Sequence, residues 1–360
     1  MANGVPAKQI TDLVNHSLAH FHARGTWEAE FDFQEYIVCD HWLKQARMNT
    51  QSGNQIEWRV MFDDSGAFRY VDLFEQTPTD YVDLFVKATS PWVYAETKAT
   101  YEAHLMTQMR GESELVDYLR SRYFAAIKPA LDGLERSLVG LPLNANDTKS
   151  PRGIFYWITK LGAGVDDPVG GFNGPNGTWA DGSAKSDVGG LDRSLYPLAA
   201  NWAATKSGID MTFIDTLRRG VRFSSFMVPT DIRQYYRTDR RPSKRLYSGL
   251  DEQVQYERLV NAGPDDRNGD VNPFYGTLTF RGIPWYGLPA LDEDPDNPVI
   301  CVDINNFKPV VHADWWFKRD EPLRTPARRH LWEVGFDFQF NTIMESPRKG
   351  GIVIHDVIAN

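Results

Sequence analysis

Residues 111–139, GESELVDYLRSRYFAAIKPALDGLERSLV, form the longest helical pattern in the chain. Leu115, Leu119, Tyr123, Ala126, Ile127, Ala130, Leu131, Leu134 and Leu138 recur at the spacing of one helix face, while Glu112, Glu114, Asp117, Arg120, Arg122 and Glu135 fall mostly between them. Gly111 precedes an acidic first turn that suits the positive end of a helix dipole, and Gly140 with Pro142 ends the pattern. At about 1.5 Å per residue the element spans roughly 40 Å, more than an ordinary domain helix needs. Pro129 lacks an N–H and Gly133 weakens the second half, so the sequence predicts a kink near Lys128. Taken alone the stretch is a core helix; its neighbours decide what it serves.

The 360 residues are 42% hydrophobic and 24% charged, enough for one large core or two modest ones and too apolar for a disordered chain. A net charge of −9 excludes binding to nucleic acid through global charge, so any such contact must be local. Cys39 and Cys301 lie far apart, each in an apolar run, which fits buried reduced thiols and synthesis in the cytoplasm rather than a disulfide framework. The N-terminal residues have no apolar core flanked by basic ones, and no run approaches ~18 apolar residues, so no membrane span is predicted.

Around the long helix the pattern is mixed. Ile10 to Phe21 reads as a short amphipathic helix. Ile56, Trp58, Val60 and Phe62 alternate with Glu57, Arg59 and Met61 before a DDSG turn and a return strand Ala67 to Leu73, a hairpin whose large residues nothing local buries on both faces. Val82 to Tyr94 reads as a strand, and Pro151 to Thr159 as another. Glycine crowds the stretch from Leu161 to Leu191, predicting a long exposed loop. Asp210 caps a helix from Met211 to about Phe226, and Leu250 to Asn261 is a further helix stopped by Gly263 and Pro264. The last hundred or so residues are strand-rich: Gly276 to Tyr286, Val299 to Asp303, Phe307 to Ala313, Trp332 to Thr342 and Gly351 to Val357. Helices and strands interleave without regular βαβ alternation, so the fold class is α+β.

No catalytic spacing is present: there is no nucleophile elbow, phosphate loop, dinucleotide fingerprint or zinc-protease motif. His20 and His22 splay around a helix, and Asp265, Asp266, Asn268, Asp270 and Asn272 miss the calcium-loop pattern, so no metal or cofactor is predicted. Thr230 to Arg245 is basic, with Arg233, Arg237, Arg240, Arg241, Lys244 and Arg245 around Asp231 and Asp239. Contact with phosphate, salt bridges between subunits and a solvated face all fit this composition.

The order of elements resembles the major capsid proteins of tailed bacteriophages, the Hong Kong 97 phage-type fold, with its N-arm, E-loop hairpin, long spine helix, P-domain and A-domain. The carboxy-terminal third carries the closest resemblance: TFRGIPWYGLPALDED, NPVICVDINNFKPVV and RRHLWEVGFDFQFNTIMESPRKGGIVI, with Arg281, Gly282, Pro284, Pro289, Asn297 and Pro298 at the family's positions. The resemblance implies an N-terminal arm with a short helix at 1–52, an E-loop hairpin at 53–75, P-domain strand and spine helix at 76–150, an A-domain at 151–325, and closing strands at 326–360. It implies a non-enzymatic subunit of an icosahedral shell, built as hexamers and pentamers around double-stranded DNA held non-specifically in the virion, after synthesis in the host bacterial cytoplasm. Trp58, Val60, Phe62, Phe68 and Tyr70 would then pack over the long helix of a neighbouring subunit, and Arg233, Arg237, Arg240, Arg241 and Arg245 would serve contacts around a symmetry axis. The hairpin begins near residue 54, which leaves no room for a cleaved scaffold segment and implies a separate scaffold protein or none, beside portal and decoration proteins. An encapsulin-like bacterial nanocompartment shell and a carbohydrate-active hydrolase are the alternatives, told apart by a cargo enzyme or by a cleft of converging carboxylates.

Overall fold

The computed structural model describes residues 36–43, 49–61, 70, 85–108, 112–162, 170–172, 177–224, 243–261, 271–272, 277–324 and 330–357. The helix Ile10 to Phe21 expected from the sequence lies outside them. The chain forms two compact units, the first from Met1–Ser52, Trp92–Leu138 and Pro309–Asn341, the second from Gly53–Pro91, Val139–Lys308 and Thr342–Asn360.

The first unit is built on the long helix, Glu112–Val139, which runs unbroken through Pro129. Leu119, Tyr123, Ala126, Ile127, Leu131, Leu134 and Leu138 are buried, the stripe that the periodicity predicts. Its cover is a sheet in which the strand Val93–Glu102 runs antiparallel to Leu331–Met344, from Val93 opposite Phe340 to Glu102 opposite Leu331. Alternation along the longer strand buries Trp332, Val334, Phe336, Phe338 and Phe340, and Ala99 and Tyr101 are buried on its partner. The Tyr123 ring meets Phe336 edge-on at 5.4 Å. Pro129 cannot donate to the carbonyl four residues back, and in the same turn Thr97 Oγ1 donates to the Ala126 carbonyl at 2.7 Å. The sequence pattern Val82 to Tyr94 thus divides into two strands, Phe85–Ser90 and Val93–Glu102.

A second element is pinned to the same helix. Tyr36 Oη donates to Asp132 Oδ1 at 2.7 Å, and the Glu135 carboxylate accepts the Val38 and Cys39 N–H groups at 2.9 and 2.8 Å. These N–H groups open the short helix Ile37–Trp42, so Glu135 satisfies donors that no residue within that helix satisfies. Burial pushes the Glu135 carboxyl above its ordinary range against the pull of the two backbone bonds.

The second unit centres on a mixed sheet of eight strands. Their order is Val271–Asn272, Thr277–Phe280, Ile283–Gly287, Lys244–Ser248, Val299–Asp303, Gly351–Asp356, Trp202–Lys206 and Gly171–Phe172. The pairs of Lys244–Ser248 with Ile283–Gly287 and of Trp202–Lys206 with Gly351–Asp356 are parallel, the others antiparallel. The helix Met211–Phe223 buries Phe213, Ile214 and Leu217, and Leu250–Asn261 buries Tyr256 and Val260, in one cluster with Trp202, Leu246, Trp285, Cys301 and Ile352. Asp210 caps the first of these helices, its carboxylate accepting the Phe213 N–H at 2.8 Å as the sequence predicts. A Cβ at Gly220 would stand 2.8 Å from the Trp202 ring, so only glycine lets the helix lie this close to the sheet. Arg281 and Gly282 take positive φ of 52° and 78°, the turn that a two-residue hairpin requires.

Two expectations fail here. Ile154–Trp157 is a helical turn and not a strand, because all four residues are buried and a continuous apolar run carries no period to distinguish the two. The stretch before Leu191 is not an exposed loop throughout. Its second half forms the ladders Gly177–Thr178 with Ala184–Lys185 and Asp187–Val188 with Leu191–Asp192, and buries Trp179, Lys185 and Val188. Glycines at positive φ, Gly182, Gly189 and Gly190, make the tight turns that bring these residues inward.

Replacing Glu135 with Ala is expected to lower the stability of the first unit by about 1–2 kcal/mol, since two helix N–H groups lose their acceptor. Urea denaturation measures this; an unchanged midpoint would mean that the contact carries no weight.

Candidate functional site

The segment Gly53–Pro91 belongs to the second unit and is built there on two paired strands. Ile56–Met61 runs antiparallel to Phe85–Ser90, with Ile56 opposite Ser90 and Met61 opposite Phe85. The expected partner, Ala67 to Leu73, lies outside the described residues apart from Tyr70; the described partner is Phe85–Ser90, whose Val86 and Ala88 stand opposite Val60 and Trp58 on one face. Ile56, Ala88 and Ser90 on that face are buried and Trp58, Val60 and Val86 half-buried, while Glu57, Arg59 and Lys87 on the other are exposed. Lys87 and Glu57 pair there at 2.6 Å.

The covered face is covered by its own chain. Trp58 meets Trp157 edge-on at 5.7 Å, and Gly189 at φ +64° fits beside both, where an added Cβ would stand 3.2 Å from Trp157 and 3.3 Å from Trp58. Thr89 is held at both backbone groups: its N–H donates to the Gly189 carbonyl and its carbonyl accepts from Arg152 Nη1, each at 2.9 Å. Gly189 N–H in turn donates to Tyr156 Oη at 3.0 Å, and Trp157 Nε1 donates to Thr342 Oγ1 at 2.9 Å. Thr342 Oγ1 donates to the Arg152 carbonyl.

Two cations lie over the Tyr156 ring, Lys185 Nζ at 3.8 Å and the Arg152 guanidinium at 4.6 Å from its centroid. Lys185 is 1% exposed and donates to the Tyr156 carbonyl. Arg193, also buried, donates to Thr159 Oγ1 and to the Trp157 carbonyl. Burial, and then the Arg193 charge, pushes the Lys185 amine well below its ordinary value, and burial lowers Arg193 to about 10. This set positions an arm; it pairs no nucleophile with a base. Among the described residues no group of three or more His, Cys, Asp or Glu side chains has the geometry to hold a metal ion, and no helix is long and apolar enough to cross a membrane.

No family model matches the sequence, and no curated protein matches it. Solved structures do. A chain of the cyanophage A-1(L) capsid asymmetric unit superposes with a TM-score of 0.60 at 11% identity, over 91% of this chain and 94% of that one. The fold is the Hong Kong 97 phage-type capsid fold. Chains from the satellite phage P4 procapsid and from Mycobacterium phage Cain also align, with TM-scores of 0.47 and 0.49 and identities of 12% and 10%, covering 96% and 91% of this chain and 98% and 92% of theirs.

On this capsid fold the residues singled out from the sequence scatter. Trp58 packs against Trp157 of its own chain, and Val60 shares its face, while the other face of the pair stays exposed. Tyr70 is 92% exposed. Phe62, Phe68, Arg233, Arg237, Arg240 and Arg241 lie outside the described residues. Arg245 is half-buried on the strand Lys244–Ser248, opposite Val302, with Nη1 donating to the Lys244 carbonyl at 2.9 Å. Arg152, Tyr156, Lys185 and Gly189, which hold the strand pair, stand in no motif or spacing that marks them in the sequence.

Trp58→Ala is expected to lower stability by about 2–3 kcal/mol, less than for a fully buried tryptophan. Lys185, with its folded pKa depressed, contributes most above its unfolded pKa and loses that contribution as pH falls through the folded value. Lys185→Met is therefore expected to remove the part of the stability loss that sets in as pH falls below the unfolded lysine pKa, read by chemical denaturation across pH, and a profile that superposes on the parent's would refute this.

Proposed function

We propose that the chain is a structural subunit of an icosahedral phage capsid, which assembles into hexamers and pentamers and encloses double-stranded DNA in the virion. The single observation behind this reading is the end-to-end match to the cyanophage capsid chain. The arm supports it. Tyr70, between the two paired strands in sequence, is 92% exposed, a large ring that the monomer leaves uncovered. In this reading Gly53–Pro91 carries the E-loop, Glu112–Val139 is the spine helix, the sheet that covers it is the P-domain, and the eight-stranded unit is the A-domain.

Such a protein works by assembly and not by catalysis. Many modest contacts between copies replace one strong interface. Tyr70, with Phe62 and Phe68, would meet the neighbouring copy, and Arg233, Arg237, Arg240, Arg241 and Arg245 would serve contacts around a symmetry axis. The net charge of −9 leaves contact with DNA local and non-specific. A separate scaffold, portal and decoration proteins are the further partners of this reading.

Two outcomes are expected from light scattering on the purified chain. Raising the salt should dissolve particles at concentrations where circular dichroism still reports a folded subunit, since ion pairs between copies are screened first. Tyr70→Ala should reduce particle yield with the denaturation midpoint unchanged. Unfolding that accompanies dissociation, or full assembly of the variant, would count against the reading.

A further inference from the structure

Just past the last ladder pair of the first unit, Leu331 with Glu102, the Ala103 N–H donates to the His330 carbonyl at 2.8 Å. That bond joins the start of the helix Ala103–Gln108 to the start of the strand Leu331–Met344, and sets His330 beside His104. The two imidazole centroids stand 4.1 Å apart, with their planes at 44°. Both side chains are exposed.

With metal–nitrogen bonds of about 2.0–2.1 Å, two imidazoles bound side by side to one ion have centroids roughly 4.5–5 Å apart. At 4.1 Å His104 and His330 stand somewhat closer than that, by about 0.4–0.9 Å, and exposed rings turn apart by this much at little cost. Neutral imidazole suits the borderline divalent ions, whereas magnesium and calcium require oxygen ligands that this pair does not supply. We propose that His104 and His330 form a two-imidazole site for a late first-row divalent transition ion, zinc, nickel or copper, with water in the remaining positions. Because the donors come from two elements that only the folded unit brings together, the ion binds the native state and ties the helix start to the strand start.

Calorimetric titration of the tag-free full chain at neutral pH, with zinc, nickel or copper chloride alone, tests this. The chain also carries His16, His20 and His22, so the variants decide. The expected result is one saturable event, tightest for copper, which disappears in both His104→Ala and His330→Ala and persists in the double variant His20→Ala, His22→Ala. The ion should also raise the thermal midpoint of the parent chain and of neither single variant. Absence of the event in the parent chain, its survival in either single variant, or equal binding of magnesium would overturn the proposal. Circular dichroism confirms that the variants, altered at exposed positions, remain folded.

Discussion

The apolar face of the long helix must be covered, and its cover comes from the far end of the chain. Tyr123 and Ala126 meet Phe336 and Thr97 only after the strand Leu331–Met344 has returned to pair with Val93–Glu102. Each leucine buried in that stripe contributes about 1.5–3 kcal/mol, more than helix propensity supplies over a segment interrupted by Pro129. The constraint shapes the topology. The chain crosses between its two units after Ser52, Pro91, Leu138, Lys308 and Asn341, so neither unit is one continuous segment. Contacts this distant in sequence favour slow folding.

At the root of the arm a different balance holds. Burying an amine and a guanidinium is costly, and the chain offsets it with the Tyr156 ring and carbonyl around Lys185 and with two oxygen acceptors for Arg193. The result is a root held at both backbone groups of Thr89 and packed through Trp58. A subunit whose arm must reach a neighbour needs its direction defined at the root. In the proposed capsid role, this polar and aromatic set supplies that direction.

Periodic features were legible in the sequence, and features set by distant contacts were not. The helix stripe, the Asp210 cap, the helix Leu250–Asn261 and the strand Val299–Asp303 follow from spacing and capping chemistry, which are local. The resemblance in the carboxy-terminal third also led to the correct fold, since Arg281 and Gly282 form the tight turn of that motif. Ile154–Trp157 departs from the expectation because an apolar run has no period, and the glycine-rich stretch because Trp179 is buried against Tyr156, a contact that local composition does not mark. The pairing of Ile56–Met61 with Phe85–Ser90 was not legible for a related reason. Local turn chemistry at Asp63–Gly66 favoured an early return, while the observed register is set by Trp58 against Ala88 and by the body that covers them. Lys185 was invisible, since nothing in sequence marks a lysine that will lose its water.

The most direct test of the account is electron microscopy of the full chain, expressed alone and together with a scaffold protein if its genome encodes one. The account predicts closed, icosahedral particles with fivefold and sixfold clusters in which the arm of one copy lies across the next. A monodisperse monomer at high concentration and low salt, with no particles in either preparation, would contradict it.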